Sequence, residues 1–239
     1  MVNVPVILST KKSSCSRKDL YEALSLENKT VSQNSFKWIL AEWLRDGKLY
    51  KISSDSYSLS PSTKKTYSPE YSENGKALIK SLAEFYSDVN FVVFESYLLN
   101  EFVNHLISKN TIVVMVEKDM VDFVFEHLAQ EHPGNVLLSP SEEEFRRYWT
   151  EDCIVVENII SEAPLFKDKA HEITLEKFLA DCIADKIVSM LFTHSEYEMI
   201  FEEAGSRYII DYKKLKRYSK RRNCWEKVKP YLGAEADDI

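Results

Sequence analysis

With 239 residues, of which 44% are hydrophobic and 29% charged, the chain has the length of one or two globular domains and the composition of an ordinary soluble protein. The formal charge of −7 argues against a surface given over wholly to nucleic acid, but it is unevenly spread. Residues 1–66 hold eleven Lys/Arg against six Asp/Glu, a net +5, and the rest twenty against thirty-two, a net −12; a basic head on an acidic body suits DNA binding by the head alone.

Val4–Ser9 is a short apolar start, read as a first helix or half-helix. Ser16 then caps a second helix whose Leu20, Ala23 and Leu24 face inward, and Lys11, Lys12, Arg17 and Lys18 gather at its start, where phosphate contacts are common. From Ser32 as N-cap, Phe36, Ile39, Leu40, Trp43 and Leu44 recur at helical spacing, and Gly47 suits the left-handed residue that closes such a helix. Two short strands follow, Lys48–Ser53 and Tyr57–Ser60, joined by a Ser54–Asp55–Ser56 turn. Three helices and a hairpin predict a winged helix-turn-helix over residues 1–66. Its recognition helix would present Asn34, Lys37, Trp38, Ala41 and Arg45 outward, with Gln33 and Lys51 beside them. The plainer alternative is a solvated helix whose Trp38 is covered by a second domain, since winged helices also bind proteins.

Pro61–Ser72 lacks periodicity and reads as a linker to a second domain over 73–239. Helical spacing resumes at Glu73–Ser87. Four apolar, β-branched runs, Asn90–Glu95, Thr111–Glu117, Val136–Ser139 and Cys153–Val156, alternate with helical patterns at Tyr97–Ser108, Asp119–Glu131 and Ser141–Tyr148. Such alternation predicts an α/β domain with a mostly parallel sheet covered on both faces. No Gly-rich turn follows a strand, so a Rossmann or P-loop nucleotide site has almost no support and no cofactor is expected. The tail is expected to be helical: Ile173–Leu191, Glu196–Ala204 with Gly205 past its end, Asp211–Arg222 and Glu226–Tyr231, with only the final GAEADDI disordered. If the first of these helices is unbroken, Lys186 falls in its apolar stripe and needs a buried carboxylate, with Glu95 and Glu117 as candidates.

Chemistry-bearing constellations are sparse. His127 and His132 lie five apart and cannot share a metal as an i, i+4 pair can. Glu117 and Lys118 are adjacent on a strand and point to opposite faces, against a nuclease-type acid–lysine pair. Asp181 and Asp185 have the spacing to bind Mg²⁺, though Lys177 at i−4 from Asp181 more simply makes a helix ion pair. Cys15, Cys153, Cys182 and Cys224 show no disulfide or C-x-x-C spacing and read as reduced thiols. No apolar run approaches the ~20 residues of a membrane span, and Met1–Ser9 lacks the features of a leader, so a cytoplasmic location is expected. The basic tail Lys213–Arg222, interleaved with Tyr212 and Tyr218, suits RNA, DNA or an acidic partner, or simply a solvated helix.

Taken in order, GKLYKISSDSYSLSP, FVVFESYLLNEFVNHL, TIVVMVEKDMVDFVFEHL, VVENIISEAPL, ITLEKFLADCIADK and YIIDYKKLKRYSKRR resemble the AbiEi-type antitoxins over nearly the whole chain. That resemblance implies a non-enzymatic transcriptional regulator and antitoxin of a type IV toxin–antitoxin system of the abortive-infection, phage-defence kind. Its head would bind promoter inverted repeats, and its body would oppose a nucleotidyltransferase toxin without a stable complex. It also implies that Thr174, Glu176, Lys177 and Asp181, with Tyr218, Arg221 and Arg222, serve the antitoxin function. Two positions depart from the family pattern: Ser56 stands where Gly usually precedes the wing Tyr, and Ile173 where Pro precedes the Thr. The rival readings are a metal-dependent nuclease with a DNA-binding head, and a regulator whose body only mediates protein contacts.

Overall fold

The computed structural model describes residues 15–27, 31–53, 56–59, 64–104, 106–167 and 171–236. The expected helix at Val4–Ser9, Lys11 and Lys12, the Ser54–Asp55 turn and residues 237–239 lie outside them. The chain divides into two compact units, one of residues up to Thr66 together with Arg207–Asp211, the other of Tyr67–Ser206 and the chain from Tyr212 on.

In the first unit, β1 (Cys15–Ser16) leads into α1 (Arg17–Glu27), α2 (Gln33–Arg45), β2 (Tyr50–Ser53) and β3 (Ser56–Ser58). The three strands form an antiparallel sheet of order β1-β3-β2. Local chemistry sets the helix ends. Ser16 Oγ accepts from Asp19 N at 3.1 Å while the Asp19 carboxylate accepts back from Ser16 N at 2.9 Å. Ser32 Oγ accepts from Ser35 N at 3.1 Å. α2 stops where Gly47 takes φ +66°, and Lys48 N donates to Trp43 O at 2.9 Å. The apolar stripe of α2, Phe36, Leu40 and Trp43, packs with Leu20, Leu24, Leu49 and Tyr57. Each such burial is worth roughly 1.5–3 kcal/mol.

The second unit is built on a four-stranded sheet of order β4-β5-β7-β6: β4 (Phe91–Glu95), β5 (Thr111–Val116), β6 (Val136–Leu138) and β7 (Cys153–Asn158). Pairing is parallel between β5 and β7 and between β7 and β6, but β4 runs antiparallel to β5. The unit is therefore mixed α/β, its sheet mostly parallel as expected, with the direction of β4 the one departure. Its cause lies in the β4–β5 connection. Among the described residues the expected helix at Tyr97–Ser108 is absent, and a 3₁₀ segment, Ser96–Glu101, forms instead. Ser96 Oγ accepts from Thr111 N of β5 at 2.9 Å, and Asn100 Oδ1 accepts from Ile107 N at 2.7 Å, a backbone donor that a helix would have used. Without a crossover helix the chain returns beside β4 in the opposite sense.

α3 (Glu73–Phe85), α4 (Val121–Glu131) and α5 (Glu142–Tyr148) are as spaced in the sequence, and Ser72 and Ser141 cap α3 and α5. The tail holds α6 (Leu175–Ala184), α7 (Tyr197–Arg207), α8 (Tyr212–Arg221) and α9 (Trp225–Val228), the last running into a 3₁₀ segment, Lys229–Ala236. α7 passes through Gly205 rather than stopping before it. Residues paired across a sheet share a face, so Phe94, Val113, Met115, Val155 and Glu157 look the same way. α6 covers that face, its Phe178 ring 5.7 Å from Phe94. At the β4 edge, Tyr71 Oη donates to Val93 O at 2.7 Å and accepts from Ile173 N at 2.9 Å.

Glu95, fully buried at the end of β4, accepts from Ser72 N at 2.7 Å and Asn110 Nδ2 at 2.6 Å, and also from Ser72 Oγ. Gly75 lies so close that an added Cβ would sit 2.8 Å from Glu95 Oε2. Gly75→Ala should gain helix propensity of ~1 kcal/mol yet lose on balance, because the carboxylate is pinned by three donors. A net destabilisation of ~1–3 kcal/mol is expected in urea unfolding; a stabilised variant would show that Glu95 is free to move.

Candidate functional site

Three elements of the second unit converge on one polar cluster. On α6, Lys177, Asp181 and Asp185 recur every four residues and form a stripe toward the sheet. On α8 and just past its end, Tyr218 and Arg222 form a second i, i+4 pair, and β7 contributes Glu157. Asp181 is the hub. Lys177 Nζ lies against its Oδ2, Tyr218 Oη donates to Oδ1 at 3.0 Å, and Arg222 Nε is 3.3 Å from Oδ1. Lys177 Nζ also reaches Tyr218 Oη at 3.3 Å and Met115 Sδ at 2.8 Å, and Lys177 and Asp181 are both fully buried. Arg222 Nη2 donates to Asp185 Oδ2 at 3.1 Å, so one guanidinium bridges both aspartates. Its Nε–H makes an ion pair with Asp181 but points off line for a hydrogen bond.

Asp185 also explains where α6 ends. Its Oδ1 accepts from the backbone N of Ile187 and Val188, at 3.0 and 3.1 Å, and its own backbone is extended. The helix therefore does not run on to Leu191, and Lys186 points into solvent. The expectation of a buried Lys186 with a carboxylate partner is corrected. The buried lysine of this helix is Lys177, and its partner is the aspartate four residues on rather than Glu95 or Glu117.

Burial, and after it Asp185 and Asp181, holds the Glu157 carboxyl well above the usual carboxylate range, with a hydrogen bond to Asp185 adding to the effect and Lys177 opposing it. The residue opens partly onto a cavity, but its carboxyl is packed round with protein. Burial and Asp181 also raise the Tyr218 phenol. For Arg222 burial pulls downward, but Asp181, Tyr218 and Asp185 outweigh it and the guanidinium stays firmly charged. The cavity, about 290 Å³, lies at the carboxyl ends of β6 and β7, with Glu157, Asp185, Lys186 and Arg222 on its wall. Lys177 and Asp181 are sealed behind that wall and consume each other's hydrogen-bonding capacity, so the cluster acts first as a brace between α6, α8 and the sheet.

Of the residues singled out in the sequence, Lys177, Asp181, Tyr218 and Arg222 meet here. Thr174 is near by in the chain but serves as the α6 cap: its Oγ1 accepts from Lys177 N at 3.3 Å and donates to Pro164 O at 2.8 Å. Glu176 is buried, and Arg221 stands outside the cluster, donating to Ser161 Oγ at 2.6 Å. A strand ended at Val156 leaves Glu157 out of the site; β7 runs on to Asn158, and the acid that follows the apolar run CIVV is the signal the sequence carries for it. In the first unit Gln33, Asn34, Lys37, Trp38, Arg45 and Lys51 are exposed. Arg17 lies over the Phe36 ring at 5.8 Å, and Lys18 pairs with Glu22 at 3.8 Å. All four cysteines are free and buried. Among the described residues no group of three or more His, Cys, Asp or Glu is placed to hold a metal, and no helix is long and apolar enough to cross a membrane.

Residues 35–237 match the model of the Family of unknown function DUF6577, and the chain belongs to that family. No curated protein matches it. Among solved structures it is similar to that of the RV2827C protein from Mycobacterium tuberculosis, at 8% identity over 96% of this chain and 78% of that one, with a TM-score of 0.26. So low a score carries no argument.

Because Asp181 takes hydrogen bonds from Lys177 and Tyr218 and pairs with Arg222, Asp181→Ala should be the costlier change, ~3–5 kcal/mol, since it leaves the buried Lys177 ammonium without a carboxylate. Lys177→Met keeps the stem and leaves Asp181 with Tyr218 and Arg222, and should cost less. Equal losses in chemical denaturation would show that Asp181 is not the hub. Glu157 gives a pH signature. Its folded pKa is raised above the unfolded ~4.3, so the native state binds a proton that the unfolded state releases. Stability is then full below ~4.3 and is lost as pH rises toward the folded value. Glu157→Gln should flatten this fall. Parallel stability–pH curves for the two proteins would refute it.

Proposed function

We propose that this protein is a DNA-binding transcriptional autoregulator whose first unit is a winged helix, and that its second unit serves as the antitoxin of a type IV system. The observation that carries the DNA-binding part is the outer face of α2. Trp38 is 80% exposed there, against 1% for Trp43 on the inner face, and Asn34, Lys37, Ala41 and Arg45 surround it in solvent. A large exposed aromatic among groups suited to base edges and phosphates marks a contact surface rather than a solvated face. The order helix, helix, hairpin, with β1 completing the small sheet, supports reading α2 as the recognition helix and β2–β3 as the wing.

The antitoxin role rests on the resemblance to AbiEi-type proteins. The meeting of Lys177 and Asp181 with Tyr218 and Arg222 supports it only in that the two resembling segments form one brace. Their burial and mutual pairing favour a non-catalytic body over the nuclease reading, because neither Lys177 nor Asp181 is presented to a substrate. Partners are then promoter DNA and, functionally, a nucleotidyltransferase.

The test uses the full chain and duplex DNA from upstream of its own coding sequence. Binding should weaken steeply with salt, and Lys37→Ala and Arg45→Ala should each lower the salt slope by about one. Trp38→Ala should weaken binding without loss of fold. A folded protein that leaves this DNA free at low salt would make the head a protein-binding module. In cells expressing the nucleotidyltransferase, the Lys37/Arg45 double variant should still relieve growth arrest; loss of rescue would confine the role to transcription.

A further inference from the structure

The sequence of α4, VDFVFEHLAQE, puts Val121, Val124 and Leu128 on its buried side, yet Phe123 turns outward and is 60% exposed. On α3 the last residue, Phe85, is 65% exposed. The two belong to one surface. The Phe85 ring lies 4.4 Å from the ring of His127, one helical turn after Phe123, and Tyr86 meets the same imidazole edge-on at 5.6 Å. Tyr86 Oη donates to Phe123 O at 3.2 Å, which fixes the end of α3 against α4. Single exposed apolar side chains are common on any protein surface, but aromatic rings gathered across two helices and left in water mark a contact face. Covering either ring would contribute roughly 1.5–3 kcal/mol. The surround is acidic. Asp119, Asp122 and Glu126 precede and follow Phe123, all of them exposed, and α4 holds no Lys or Arg. Lys118 is the one such cation between Glu117 and Glu131.

We propose that this face docks a basic amphipathic helix of another protein, its apolar stripe on Phe85 and Phe123 and its Lys or Arg side chains against Asp119, Asp122 and Glu126. Charge decides among the occupants. A nucleic acid or an anionic lipid surface would bring phosphates against these carboxylates. A second copy seated face to face would set the same acids against one another, because a two-fold interface uses one patch twice. A basic partner neutralises the acids while it covers both rings. A helix is the form in which anchors at i, i+3 and i+4 make one apolar stripe with cations along its margins. The contacts of Phe85 with His127 and of Tyr86 with Phe123 O order the face before a partner arrives, which lowers the entropy cost of docking.

Fluorescence anisotropy of a labelled peptide, two copies of LKKLLKL, titrated with the full-length protein tests this. A peptide of the same composition with its leucines spread round the helix, and one with glutamate in place of every lysine, are the controls. The first peptide should bind saturably, the second at least about tenfold more weakly, a loss of ~1.4 kcal/mol, and the third not at all. Phe85→Ser with Phe123→Ser, both at exposed positions, should weaken the first peptide at least about tenfold. Asp122→Lys with Glu126→Lys should do the same. Glu198→Lys with Glu202→Lys, an equal charge change at exposed positions of α7, should not, and so separates this face from the general attraction of a cation to an acidic protein. The inference is overturned if the first peptide binds no better than the scrambled one, if either pair of changes at the face leaves its affinity unaltered, or if the α7 pair weakens it as much. It is also overturned if sedimentation shows the wild type self-associating and the Phe85→Ser/Phe123→Ser protein monomeric, since the face would then join copies of this chain. DNA binding by the head is read separately and stands on its own result.

Discussion

Asp181 is the point through which the second unit is held together. A carboxylate with no exposure to water is costly to bury, and its cost is offset here by hydrogen bonds from the Lys177 ammonium and the Tyr218 phenol and by an ion pair with the Arg222 guanidinium. Lys177 and Tyr218 are fully buried in turn, while Arg222 is half-buried and also pairs with Asp185. The apolar face of the sheet at Phe94, Val113 and Val155 drives α6 onto it without specifying a rotation or a register. The charged stripe does specify them, because sliding α6 by one residue would turn Lys177, Asp181 and Asp185 away from α8. Hydrophobic burial supplies the attraction, and the shared carboxylate supplies the alignment.

The first unit follows a different logic. Its core is a small apolar cluster, and the charged groups of α2 stay in water. Trp43 and Trp38 show the division on one helix, the first among Leu20, Leu40 and Leu49, the second in solvent. An interior of aliphatic and aromatic side chains leaves the outer surface of α2 free of structural duties, so residues there can change without affecting the fold. In the second unit the charged cluster is part of the interior, and no such separation exists.

How far the sequence disclosed this architecture depended on how local the deciding chemistry was. Ser16 and Ser32 mark helix starts because a cap is a contact over three residues, and Gly47 marks a helix end because left-handed backbone strongly favours it. The four strands of the larger sheet were legible as apolar runs. The direction of β4 was not, since it goes with a β4–β5 connection that lacks the crossover helix and in which Ser96 and Asn100 bond backbone fifteen and seven residues away. The stop of α6 at Asp185 was hidden for a similar reason: the helical pattern continues in the letters, while the aspartate side chain captures the next two free N–H groups. Lys177 and Asp181 were visible as a pair, but nothing in their spacing distinguishes a pair in water from one sealed between a sheet and a helix. Their burial depends on Tyr218 and Arg222, some forty residues on.

Tyr71 has a wider bearing than its two hydrogen bonds. By joining Val93 O to Ile173 N it fastens the stretch around His171–Ile173 along the outer side of β4, where His171 O also accepts from Val93 N at 3.0 Å and the His171 ring stacks on Phe91. A sheet margin with open N–H and C=O groups is a template on which another chain can add a strand. Here that margin is occupied by the protein's own backbone just before α6. The opposite margin, β6, is only three residues long. The sheet is thus closed to extension on one side by a fastened segment and on the other by brevity, which protects a chain rich in β-branched runs from self-association through its most aggregation-prone element.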